Sequence, residues 1–139
     1  MTFSRKIFKT QLKIPGLVMF RALYNKTIIG AHLWYTQDDV VYSHLSAYSP
    51  LGYQHKAAHA LQWSALQYFK GKANWLDQGG GISRDGNDGL SHYKQGWSNG
   101  TRMVYFCGKI FDFKKYSEIV MAYGKQRTEY IPAYREGEF

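Results

Sequence analysis

The sequence predicts an α/β domain, a mixed but mostly antiparallel sheet flanked by helices, and three observations carry that prediction. Three β-rich runs separated by short polar turns occupy residues 18 to 49. A run with apolar residues at helical spacing follows over 54 to 70, and a short apolar run, Ala73 to Asp77, closes a strand–helix–strand unit. Short turns join antiparallel neighbours, whereas a strand–helix–strand connection of this length implies parallel pairing through a right-handed crossover. At 139 residues and 45% hydrophobic content the chain is long enough for one core and short for two, so one domain over 1–139 is expected.

Val18 to Tyr24 (VMFRALY) is rich in β-formers, Asn25-Lys26-Thr27 turns the chain, and Ile28 to Tyr35 (IIGAHLWY) resumes, which predicts a hairpin. Thr36-Gln37-Asp38-Asp39 is a second turn, and Val40 to Ser49 (VVYSHLSAYS) a third strand antiparallel to the second. Ser49-Pro50-Leu51-Gly52 breaks it. From Gln54 to Lys70, Ala58, Leu61, Ala65 and Phe69 recur at three- and four-residue intervals, the period of a helix with one buried face. Gly71 ends that helix where a left-handed residue is wanted, and Ala73 to Asp77 forms a short buried strand. Beyond the next loop, Leu90 to Trp97 can form a short helix and Thr101 to Phe111 a long strand. Phe113 to Tyr123 is a closing helix with Tyr116, Ile119, Val120 and Tyr123 on one side; from Gly124 the tail docks or frays.

Eighteen Lys and Arg against ten Asp and Glu give a formal charge of +8, scattered from Arg5 to Arg135. The excess suits an anionic partner such as a nucleotide cofactor, a tRNA or an acidic polymer, and equally a merely basic soluble protein. Cys107 is the sole cysteine, which excludes an intrachain disulfide, and its apolar setting MVYFCGKIF predicts a buried, inert thiol. TFSRKIFK lacks the apolar core of a secretory leader, and no stretch approaches the roughly 18 apolar residues of a membrane span. A cytoplasmic protein is expected, with the sequons at Asn25 and Asn99 unglycosylated.

The stretch WLDQGGGISRDG, Trp75 to Gly86, raises the question of chemistry. Gly81 and Gly86 have the spacing of a Walker A loop, but Asn87 and Asp88 stand where Lys and a hydroxyl are needed, and the acid would repel phosphates. Asp85-Gly86-Asn87-Asp88-Gly89 resembles the start of a calcium loop, yet its twelfth position is Gly96 where a bidentate carboxylate is required. Gly79, Gly80 and Gly81 either turn the chain or leave a hollow beside a strand end that a ligand can enter. His55 and His59 have the spacing of a zinc-protease helix, but Lys56 replaces the required Glu, so a solvent-facing pair is expected and no metal. His32 and His44 fall in strands; His44 is the better placed to titrate near a ligand. The N-terminus of the helix, with the backbone donors of Gly52, Tyr53, Gln54 and His55 beside Lys56, is a cradle for a phosphate.

The strand VVYSHLSAYS, the helix HALQWSALQYFKGKA, the strand NWLDQGGG and then GLSHYKQGW together resemble the GNAT acyltransferase fold over roughly residues 17 to 112. The likeness is to its Fem-like branch, which includes peptidoglycan bridge aminoacyltransferases and N-acyltransferases of cell-surface polysaccharide pathways. The resemblance implies transfer of an acyl or aminoacyl group, from acyl-CoA (acetyl-CoA) or aminoacyl-tRNA, to the amine of a sugar or cell-wall precursor. It implies a donor wedge between the strand ending at Ser49 and the strand ending at Gln78, with the glycines allowing close approach. Tyr93 and Lys94 match an aromatic–Lys pair directed at the donor, Lys94 stabilising an oxyanion and Tyr93 stacking. Asp77, His44 and Tyr48 are the candidate groups for moving the amine proton. The acetyl-CoA turn Q/R-x-x-G-x-G/A is replaced by SPLGYQHK, which leaves the donor open. Residues 1 to 16 leave no room for the first strand and following helices of that fold, so a second copy or partner chain completes the site, or the chain is a non-catalytic binding or structural module.

Overall fold

The computed structural model describes residues 4–81, 86–105, 107–125 and 127–137. The chain gathers into two compact units, residues 2–94 and 95–139.

The first unit holds a four-stranded sheet in the order β1 (Leu17–Tyr24), β2 (Thr27–Gln37), β3 (Val40–Tyr48), β4 (Trp75–Asp77). The first three strands pair antiparallel and β4 joins β3 in parallel, the mixed sheet read from the sequence. The hairpin closes more tightly than its three-residue turn predicts: Tyr24 pairs Thr27, and Asn25 and Lys26 both take positive φ, the two-residue turn that matches strand twist. At the second turn Asp38 is left-handed, and the Asp39 carbonyl accepts the N–H groups of Asn74 and Trp75. That acceptor sets where β4 begins, two residues later than Ala73.

A helix α1 (Arg5–Gln11), capped by the Ser4 hydroxyl on Ile7 N–H, precedes the sheet where no element was expected. The helix predicted over Gln54 to Lys70 forms as α3 (Ala57–Phe69), and the segment before it, expected only to break the strand, is a further short helix, α2 (Pro50–Gln54). The break between the two is Lys56, held at φ 51°, ψ 40°, a left-handed conformation that interrupts the helical hydrogen bonds. Trp34, Val41, Ala65 and Phe69 form the core between sheet and α3, with Val18, Phe20 and Leu76 packed around them. The Phe20 and Trp34 rings contact Phe69 at centroid separations of 5.9 and 6.0 Å. Burying each such side chain contributes on the order of 2 kcal/mol. The glycine loop leads to α4 (Gly89–Gln95), close to the predicted helix; residues 82–85 of that loop lie outside the described residues.

In the second unit α5 (Phe113–Ala122) is the predicted closing helix, capped by the Asp112 carboxylate on Lys115 N–H. The tail docks through Tyr116, whose hydroxyl accepts the Ala133 N–H at 2.9 Å, and Ala133 begins a 3-10 turn, Ala133–Arg135. The strand expected over Thr101 to Phe111 is not formed among the described residues of that segment. β-propensity expresses packing against a neighbouring strand, and among the described residues the sheet consists of β1 to β4 alone. Met103, Val104, Tyr105 and Phe111 are instead each at least 80% exposed, and Cys107, expected buried, is exposed with them.

Candidate functional site

The site begins where β3 and β4 part. Their parallel pairing runs only from Val40–Trp75 to Tyr42–Asp77; beyond it β3 continues to Tyr48 while the chain after Asp77 turns away. A cavity of about 410 Å³ opens at this divergence, lined by Ser43, Ser46 and Tyr48 of β3, by Gln78, and by side chains of β2, α3 and α4. A β-bulge at His44 shapes its wall: Trp34 pairs Ser43 and Leu33 pairs Leu45, so one extra residue sits in β3. The bulge resets the alternation, and Ser43, Ser46 and Tyr48 all come to the same cavity although their numbers differ in parity.

His32 lies on the β2 face shared with Gly30 and Trp34 and is 5% exposed. Its Nε2 is 2.9 Å from Ser43 Oγ and its ring lies 4.6 Å from that of Trp34. Burial pushes its pKa down to about 4, and the positive charge of Lys94 adds to the fall, so the imidazole is neutral at physiological pH. Gln62 is 1% exposed on the α3 stripe that also carries Ala58, Ala65 and Phe69. Tyr48 is held against the sheet because Gly30 has no side chain: a Cβ there would stand 2.7 Å from the Tyr48 ring. Desolvation raises the Tyr48 pKa, against a hydrogen bond with Ser46 that lowers it.

From α4, the Tyr93 hydroxyl donates to the Ala58 carbonyl at 3.1 Å and its ring meets His59 edge-on, which ties α4 to the start of α3. Burial pushes Tyr93 up to about 12. The Lys94 ammonium donates to the Gly80 carbonyl. Burial lowers its pKa, and the carboxylates of Asp77 and Asp88 oppose that fall. The three glycines thereby acquire distinct roles. Gly79 takes φ +68°, Gly80 presents its carbonyl to Lys94, and Gly81 packs so closely that a Cβ would meet Ser91 Oγ at 1.8 Å and Asp88 Oδ2 at 2.8 Å. Asp88 caps α4 by accepting the Leu90 and Ser91 N–H groups and the Ser91 hydroxyl. The glycine loop is therefore built to seat α4, and Tyr93 and Lys94 with it.

Of the residues singled out in the sequence, Tyr48, Gly52, Tyr53, Lys56, Tyr93 and Lys94 line the cavity. Ser49, Gln54, His55, Asp77, Gly79, Gly80, Gly81 and His44 lie outside the described lining. Asp77 is exposed and accepts the Gly79 N–H at 2.7 Å; His44 is exposed with its ring 4.9 Å from Tyr35. The expected cradle of backbone donors is not assembled. The N–H of Gly52 goes to Ser49 Oγ and that of Tyr53 to the Ser49 carbonyl, while His55 and Lys56 donate to Leu51 and Tyr53. These groups close the turns of α2 instead of awaiting a ligand. Gly52 is needed for contact, since a Cβ would lie 2.1 Å from the Ile29 carbonyl. His55 and His59 do not share a helix face, because the break at Lys56 leaves His55 stacked on Tyr24 and His59 beside Tyr93. His32, Ser43 and Gln62 were not singled out as ligand groups. The available signals were alternation, which places His32 on the Gly30–Trp34 face, and a polar residue in an apolar stripe, Gln62 among Ala58, Ala65 and Phe69.

The mixed, mostly antiparallel sheet with flanking helices matches the fold of a solved acetyltransferase. No family model and no curated protein matches the chain. Among solved structures it is similar to an aminoglycoside acetyltransferase from an uncultured soil metagenomic sample, crystallised in complex with trehalose. The TM-score is 0.57 at 13% identity, over 81% of this chain and 77% of that one. At that identity the likeness is one of fold.

Proposed function

We propose that the protein is an N-acyltransferase of the GNAT type that takes an acyl group from acyl-CoA in the β3–β4 wedge and passes it to the amine of a sugar-like acceptor. The splay after Tyr42 and Asp77 carries this reading. Beyond it, β3 has a backbone edge without a strand partner on that side among the described residues, which an amide-bearing arm can pair with as an added strand. The residues fit an anionic thioester. Lys56 and Lys94 line the cavity, no Asp or Glu is among the described lining residues, and the formal charge of +8 favours the approach of phosphates.

Within that reading, each side chain acts by the charge or proton it holds. Lys94, fixed by the Gly80 carbonyl, presents a positive charge where an oxyanion develops as the amine attacks. As the N–C bond forms and the C–S bond breaks, Tyr48, whose raised pKa keeps its proton at neutral pH, suits a donor to the departing thiolate better than a base, while the amine releases its proton to solvent water, from which Tyr48 is reprotonated. Tyr93 holds α4 in register through Ala58, so its contribution is positioning. The acceptor class follows the aminoglycoside acetyltransferase neighbour, whose substrate type is an amino sugar; a cell-wall or polysaccharide precursor of the Fem-like kind, and a cytoplasmic location, belong to the same proposal.

The test is transfer of labelled acetyl from acetyl-CoA to a panel of aminoglycosides and amino sugars by the purified chain. Labelled, acceptor-dependent product is expected. A chain that forms no product with any of these amines, although it melts cooperatively, would count against catalysis. That outcome would favour a second reading, a GNAT-like module that pairs with another chain. The exposure of Met103, Val104, Tyr105 and Phe111 supports it, and a native mass above that of one chain would distinguish it.

A further inference from the structure

Five side chains carry a buried polar atom without a hydrogen-bond partner among the described residues: Gln11, His32, Trp34, Tyr35 and Gln62. Only His32 and Gln62 among them line the β3–β4 cavity. The atoms concerned are His32 Nδ1 and Gln62 Nε2, on side chains 95% and 99% removed from solvent. Burying an amide without a partner costs its desolvation, and a leucine or methionine would fill the Gln62 position without that cost. Gln62 also interrupts the apolar stripe of α3, where Ala65 and Phe69 belong to the core.

The chemistry of the surrounding wall decides what such a pair can recognise. Gln62 Nε2 is a donor by nature and requires an acceptor. His32 is fixed by its bond to Ser43, and the Ser46 hydroxyl lines the same cavity. Lys56 and Lys94 add positive charge, and no carboxylate is among the described lining residues to hold an ammonium. A donor-rich, cationic cavity of this kind complements oxygen and not the free amine of an aminoacyl ester.

We propose that Gln62 and His32 form a recognition subsite for an acyl group that bears its own acceptor oxygen, so that the donor is an oxygen-substituted acyl-CoA in place of an aminoacyl-tRNA. This rests on the acyl-CoA reading of the wedge given above. A matched pair of probes, 3-hydroxybutyryl-CoA and butyryl-CoA, differs by one hydroxyl and is compared by calorimetry on the wild-type chain and on Gln62→Leu and Gln62→Met. The wild type should bind the hydroxylated ester at least about tenfold more tightly, the scale of one well-made hydrogen bond. Both variants should retain butyryl-CoA binding and lose the preference, and their unchanged or raised melting temperatures would show that the fold survives. Equal affinities in the wild type, or a preference that persists in both variants, would overturn the subsite. If neither ester binds the wild type, the donor reading has failed by itself. The subsite then stands or falls on the Gln62 side-chain amide resonances during titration with free 3-hydroxybutyrate and butyrate: movement with the former alone supports it, and no movement overturns it.

Discussion

Replacing His32 by Gln should remove a specific acid sensitivity from the fold. In the native protein the buried imidazole titrates at about 4, against 6.5 for an unperturbed histidine. Between those values the unfolded chain takes up a proton that the native chain refuses, so stability is full above about pH 6.5 and declines as pH falls toward 4. The separation corresponds to on the order of 3 kcal/mol lost across that window. For a compact unit of this size that is a fall in melting temperature of roughly 12 to 25 °C beyond whatever the carboxylates contribute. Melting curves of wild type and His32→Gln at half-unit steps from pH 8 to pH 4 would share the carboxylate contribution, so their difference isolates His32. The wild-type curve should drop more steeply and the two should diverge only below about pH 6.5. Parallel curves, with a wild-type imidazole titrating near 6.5 by NMR, would refute the burial argument.

Four further outcomes are expected. Gly81→Ala forces a methyl onto Ser91 and Asp88 and should cost about 1–3 kcal/mol in urea unfolding. Gly80→Ala, with nothing within 4 Å of the new Cβ, should stay within about 0.5 kcal/mol of wild type. Lys94→Ala should lower acetyl-transfer turnover about a hundredfold or more while acetyl-CoA still binds in calorimetry, since the charge it removes matters most as the oxyanion forms; near-normal turnover would remove Lys94 from the mechanism. Lys56→Gly should raise stability by up to about 1 kcal/mol by relieving its left-handed backbone, yet weaken acetyl-CoA binding and flatten its salt dependence. A variant that binds as tightly as wild type would take Lys56 out of the donor site.

Local signals made most of the sheet and its flanking helices legible. Asn25-Lys26 and Asp38-Asp39 are turn chemistry, and Ala65 and Phe69 mark the face of α3 that meets Trp34 and Val41. The break at Lys56 was not legible, because nothing in YQHKAAH distinguishes a lysine that turns left-handed from one in mid-helix. Thr101 to Phe111 misled for the opposite reason: its β-branched and aromatic residues are a strong local signal, but a strand is a property of a pair of segments. Within the site, Lys94 and Tyr93 stood out by their match to an aromatic–Lys motif, and Tyr48 only as one of three candidates, with Asp77 and His44, for moving the amine proton. His32 and Ser43 did not, since their meeting depends on the register of β2 with β3 and on the bulge at His44, neither of which a single sequence encodes in readable form. The triple glycine was recognised as unusual, but its use in seating α4 follows from the distance between Gly81 and Ser91.

The central claim is that the gap between β3 and β4 receives the acyl donor. A backbone NMR titration of the labelled chain with acetyl-CoA tests it most directly. The account predicts saturable shifts gathered at Ser43, Ser46 and Tyr48, at Lys56 and Ala58, and at Gln78, with the β1–β2 hairpin turn unmoved. Shifts confined to residues away from that gap, or none at millimolar acetyl-CoA, would contradict it.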